Sequence, residues 1–181
     1  MSKTWVTSDL HLGHSKIILY CDRPFHDVVD MNSTIINNWN SMVKPDDTVY
    51  HLGDFCFYKS AQGTPIHASS YEERLNGRIV HVIGNHDKNN SVKGHMVSCV
   101  VQMGGYRILM QHKPPKCREE VPKEIDIVLC GHVHNLWHYT FMEDLLVYNV
   151  GVDVNGFRPI DLNLLTGMCT RLIAKNKEGS N

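Results

Sequence analysis

Arg78-Ile79-Val80-His81-Val82-Ile83-Gly84-Asn85-His86-Asp87-Lys88 is the stretch from which the fold is read. Four β-branched residues, Ile79, Val80, Val82 and Ile83, make a buried strand, and the polar chemistry of residues 84 to 87 ends it. An amide and an imidazole, Asn85 and His86, then stand side by side at one sheet edge. The glycine before them lets the backbone turn sharply and come close to a ligand. Alone, the stretch is equally an ordinary strand-to-loop turn, since Gly-Asn is common turn chemistry.

The same pattern recurs at other strand ends. Lys3–Ser8 is a short strand closed by Asp9 and His11, two residues apart and able to face the same way if the extended geometry persists. Asp47–Leu52 is followed by Gly53-Asp54. Met96–Gln102 and Tyr106–Gln111 form two strands joined through Gly104-Gly105, a hairpin turn, and the second ends at His112. Asp126–Cys130 runs into Gly131-His132-Val133-His134, placing two imidazoles in i, i+2 register. Five strand ends therefore present Asp9 with His11, Asp54, Asn85 with His86, His112, and His132 with His134. Sheets of this kind collect ligands where their strands end, so groups distant in sequence can converge in one crevice.

Between the strands, Val28, Met31, Ile35, Trp39 and Met42 recur at helical spacing and predict a helix over Val28–Val43. Tyr58–Tyr71 reads as a loop and Tyr71–Asn76 as a short helix. Lys113–Lys123 reads as a solvated loop in which Glu119, Glu120 and Glu124 nearly cancel the basic residues. Leu145–Val152, Pro159–Leu164 and Met168–Ala174 read as further strands, which call for a second sheet. The expected organisation is a single domain over residues 1–174 and a frayed polar tail over 175–181.

Composition narrows the function. With 18 Lys and Arg against 19 Asp and Glu, the chain has no basic field to drive non-specific nucleic-acid or anionic-membrane binding. No apolar run approaches the roughly 20 residues of a membrane span, and the N-terminus lacks a signal-peptide segment; a cytoplasmic protein is expected. The six cysteines lack C-x-x-C spacing, so neither disulfides nor thiolate-bound zinc is expected. Twelve histidines direct attention to metal or acid–base chemistry instead.

The ordered set D-x-H, G-D, G-N-H-D, H and G-H-x-H, running from Asp9 to His134, resembles the calcineurin-like metallophosphoesterase superfamily, in particular its small bacterial and phage-type members. The resemblance implies an α/β fold, a two-sheet β-sandwich flanked by helices, with two metal ions at the carboxyl ends of the strands. By motif position, Asp9, His11 and His134 resemble ligands of one ion, and Asn85, His112 and His132 ligands of the other. Asp54 matches the carboxylate that bridges them. His86 resembles the family's histidine that hydrogen-bonds the phosphate or protonates the leaving oxygen; the alternative is a residue that only orients a ligand.

The implied activity is hydrolysis of a phosphodiester or phosphomonoester, a small nucleotide-like one favoured, by attack of a metal-bound hydroxide. A metal lowers the pKa of bound water from ~16 to near 7, and two ions ~3.5 to 4 Å apart clamp the phosphoryl oxygens. Nitrogen and oxygen ligands without thiolate suit Mn, favoured here, or Fe, Zn, Co or Ni, over Mg or Ca. His14 either reaches substrate or bonds the backbone, Asp87 could support His86, and His51 and His81 read as core or supporting residues. Phe55, Cys56, Phe57 and Tyr58 follow Gly53-Asp54 where the superfamily's Ser/Thr phosphatases carry G-D-x-x-D-R-G, which argues against a phosphoprotein substrate. The alternatives are a non-catalytic protein-binding scaffold, like the retromer subunit of this superfamily, and a nuclease acting on short nucleic acid.

Overall fold

The computed structural model describes residues 2–59, 63–87, 91–93 and 95–179. Within it run β1 (Thr4–Thr7), α1 (Ser15–Tyr20), α2 (Val28–Met42), β2 (Thr48–His51), α3 (Ser69–Glu72) and β3 (Arg78–His81). There follow β4 (Ser98–Met103), β5 (Tyr106–Gln111), β6 (Ile127–Cys130), β7 (Tyr139–Met142), β8 (Leu145–Asn149), β9 (Ile160–Asp161) and α4 (Leu162–Gly179). Lys88 and residues 60–62 of the expected loop lie outside the described residues.

Two mixed sheets result. In the first, ordered β3-β2-β1-β9, the three leading strands are parallel and β9 is antiparallel to β1. In the second, ordered β4-β5-β6-β8-β7, the parallel trio β5, β6 and β8 carries an antiparallel strand at each side. Strand alternation divides the core. Trp5 and Val49 face α2, where Met31, Ile35 and Trp39 meet them, whereas Val6 turns inward towards Ile108, Met110, Ile127 and Leu129 of the other sheet. On β6, Val128 and Cys130 pack on the outer face with Val121, Ile125 and Val147. All four β6 residues are thus buried, which is why this strand reads as an unbroken apolar run.

Helix α2 starts where the Asp27 carboxylate accepts the N–H groups of Val29 and Asp30. The expected hairpin forms, Met103 pairing with Tyr106 across Gly104 (φ 59°) and Gly105 (φ 84°). Left-handed φ at both positions is what a two-residue turn of this hand requires. The C-terminal end differs from expectation. Met168–Ala174 is helical, and Pro159–Leu164 holds only the two-residue β9 before α4 begins; α4 also carries through Lys175–Gly179, expected as frayed tail. Leu162, Leu165 and Cys169 recur at helical spacing and pack one face of α4 against the core that lies between the sheets. Helix α1 and edge strand β7 also lie beyond the sequence expectation.

Candidate metal centre

Strands β1, β2, β3, β5 and β6 deliver their end residues to one side of the sandwich. Asp9, His11 and His134 gather there with one ligand atom each, all within 4.8 Å of one another, and Asp54, His112 and His132 gather in the same way. The two groups meet at one carboxylate oxygen: Asp54 Oδ2 lies 3.5 Å from His11 Nε2 and 3.4 Å from His112 Nε2. Asn85 joins the second group through its side-chain oxygen, 3.0 Å from His112 Nε2. Residues 132 and 134, adjacent in register, are thereby shared out between the two groups.

Asp9 and His11 do not converge through extended geometry. Both have left-handed backbones (φ 59° and 50°), as do Asp54 (58°), His132 (70°) and His134 (48°). Of the nine non-glycine residues with positive φ among the described ones, five are in these two groups. Such conformations are costly for residues with a Cβ and persist where surrounding contacts enforce them. Those contacts are visible. The His11 N–H donates to Asp54 O, the Asp9 N–H to Gly53 O, and the His132 N–H to the Asp9 carboxylate. A Cβ at Gly84 would collide with the Asp54 backbone and carboxylate, and one at Gly131 with Ser8 and Asp9. Gly84 is thus required by the close approach of Asp54 rather than by a positive φ of its own.

Asp87 accepts the N–H groups of Gly84 and Asp54 at 2.7 Å and of Phe55 at 2.9 Å, so it fixes the turn carrying Asp54. On the sequence, Asp87 could support its neighbour His86. The His86 N–H in turn donates to Asp54 Oδ1 at 2.8 Å, which leaves Oδ2 for the two imidazoles. The His86 side chain is 54% exposed, with Nε2 4.0 Å from Asp54 Oδ2 and its ring 5.5 Å from that of His11. His14 lines one cavity together with His11 and His86. Its Nδ1 accepts the Ile17 N–H and caps α1, while its ring stands 5.7 Å from that of His11.

Three residues without a sequence signal support His134. Asp153 accepts from His134 Nδ1 at 3.0 Å and is held by the buried Arg23 guanidinium, which also donates to the carbonyls of Asp9 and Leu10. Asn149 donates to His134 O. Cys21 gathers with His134 and Asp153, one ligand atom of each within 4.8 Å of the others. His51 is wholly buried against Phe55, and His81 bonds Glu72, so both are core residues.

The donor set fits divalent metal ions. His11 Nε2 is buried without a hydrogen-bond partner, an arrangement that costs free energy unless another group takes the lone pair. Burial holds His11 well below its ordinary pKa, hence neutral and able to donate that lone pair. His112 gives its Nδ1 hydrogen to Leu52 O and turns Nε2 to the cluster. Burial alone would raise Asp54, yet the bonds from His112 and the His86 N–H hold its carboxyl well below the usual range, so it remains anionic.

A helix-flanked sandwich of two mixed sheets, with nitrogen and oxygen donors gathered where the strands end, defines the α/β/β/α metallophosphoesterase class of fold. Within that class the chain belongs to the calcineurin-like phosphoesterase superfamily, whose domain profile matches residues 3–156. It is 35% identical to the uncharacterized protein MJ1445 of Methanocaldococcus jannaschii, over 98% of this chain and 94% of that one. It is 34% identical to the Gene 66 protein of Mycobacterium phage L5, over 67% of this chain and 56% of that one. Among solved structures it is similar to AQ665 of Aquifex aeolicus, a protein of unknown function (TM-score 0.70, 25% identity, 93% of this chain and 100% of that one). Chaetomium thermophilum Vps29 shares the fold alone (TM-score 0.50, 12% identity, 82% of this chain and 70% of that one). No helix among the described residues is long and apolar enough to cross a membrane.

Proposed function

We propose that the protein is a phosphoesterase that depends on two divalent metal ions and hydrolyses a small, nucleotide-like phosphodiester or phosphomonoester. The observation that carries this is Asp54 Oδ2, shared at 3.5 and 3.4 Å between imidazoles of the two donor groups. Asp9, His11 and His134 would hold one ion and Asn85, His112 and His132 the other, with Asp54 common to both. Bound there, the ions would acidify a water towards neutral pH and pair with the phosphoryl oxygens. A transition ion such as Mn suits the mixed nitrogen and oxygen set.

The chain's own residues do the rest. Asp153 keeps the His134 ring oriented and Leu52 O that of His112, so both imidazoles present the same nitrogen to the cluster. His86 stands exposed at the mouth, its N–H tied to Asp54 and its imidazole free to donate a proton to the departing oxygen. The experiment is exhaustive chelation followed by readdition of Mn, assayed on paired diester and monoester substrates. Activity should vanish and return; hydrolysis persisting in metal-free protein would exclude the mechanism.

A further inference from the structure

Beside the donor groups lies a cavity of about 390 Å³, within the range of small-molecule sites. Its lining includes the imidazoles of His11, His86 and His134. Apolar walls come from Ile17 and Tyr20 of α1 and from Val133 and Leu136 after β6. Ile17 and Tyr20 are three residues apart on a helix and share a face. Asn135 ties the two walls together by donating to Cys21 O at 3.0 Å, at the end of α1.

Tyr20 is 70% exposed and Leu136 78% exposed. Single exposed apolar residues are ordinary, but these two line one cavity that opens directly onto the metal donors. Tyr20 is reached from the cluster in two ring contacts, His11 to His14 at 5.7 Å and His14 to Tyr20 at 6.3 Å. The described lining has no lysine or arginine, so it offers no permanent positive charge to a second anionic group on the substrate.

We propose that Tyr20 and Leu136 are specificity-determining residues that take a flat, uncharged aromatic substituent of the phosphate ester, a nucleobase. The proposal rests on the phosphoesterase reading above. The imidazoles take the phosphoryl group, and the base lies on the Tyr20 ring and against Leu136, which lines the same cavity. Stacking on an aromatic side chain tolerates any base, because each has a π-face.

The test compares thymidine 5′-phosphate with ribose 5-phosphate, which carries the phosphate and sugar without a base. Both are measured on the Mn-loaded protein by calorimetry and as inhibitors of bis(p-nitrophenyl) phosphate hydrolysis. The wild type should prefer the nucleotide by roughly tenfold or more, and Tyr20→Ala and Leu136→Ser should each shrink that ratio severalfold. Tyr20→Phe, which keeps the ring, should retain it. Equal binding of the two ligands by the wild type, or an unchanged ratio in both truncated variants, overturns the wall while continued diester hydrolysis leaves the phosphoesterase reading standing. No hydrolysis together with no binding of either ligand overturns both.

Discussion

The Asp87 carboxylate accepts the backbone N–H of Asp54 at 2.7 Å, joining the turn after β3 to the turn after β2. The same oxygen accepts from Gly84 and the other from Phe55, so one buried side chain sets where the shared carboxylate points. Removing it leaves three backbone donors without this acceptor, at ~1–3 kcal/mol for each that water cannot reach. Asp87→Ala should therefore lose about 2 to 5 kcal/mol of stability and much of its metal, although Asp87 is not a proposed ligand. Melting temperature and metal content are the readouts; a variant with wild-type values of both would show that the turn holds itself.

His86 is separable from the ligands beside it. His86→Asn should keep both metals and its fold while kcat falls by roughly 10² to 10⁴, the range of general acid–base help. Nitrophenolate leaves without a proton and an alkoxide does not, so the loss should be much smaller on the nitrophenyl ester. Equal losses on the two esters, with metal content unchanged, would instead assign His86 to stabilising the phosphoryl charge.

How far the site could be read from the sequence differs from residue to residue. Asp9, Asp54, His112 and His132 each follow a short apolar run, and a carboxylate or imidazole in that position is conspicuous against β-branched neighbours. The left-handed backbones of Asp9, Asp54 and His132 left no such mark, because nothing in Asp-Leu-His distinguishes φ 59° from an extended strand. Asp153, Arg23 and Asn149 carry no motif; they act through hydrogen bonds to His134, to one another and to the β1 turn, and only the fold brings them there. Helix α1 has six residues, two of them exposed apolar ones, too few for a period. At α4, Met168, Cys169, Leu172 and Ile173 stand at i, i+1, i+4 and i+5, a helical spacing that continues from Leu162 and Leu165, and reading Met168–Ala174 as a strand passes over that period.

Asp47 allows a pH test away from the metal site. Its carboxylate accepts the N–H groups of Lys3 and Lys44 and the Trp5 indole N–H, and these hold it down to about 2. A folded-state pKa below the unfolded value of 3.8 gives stability that is complete above that pH and lost as pH falls to about 2. In metal-free protein, the gap in denaturation midpoint between wild type and Asp47→Asn should be widest above pH 4 and close towards pH 2. A gap that stays constant over that interval would contradict the hydrogen-bonded carboxylate.

The central claim, two ions sharing Asp54, is tested most directly by anomalous diffraction from crystals soaked in Mn. The account predicts two peaks per chain, ~3.5 to 4 Å apart, one beside Asp9, His11 and His134 and one beside Asn85, His112 and His132, with Asp54 reaching both. In Asp54→Ala both peaks should weaken, and more than in His11→Ala. A single peak at full soaking, or two peaks of unchanged occupancy in Asp54→Ala, would contradict it.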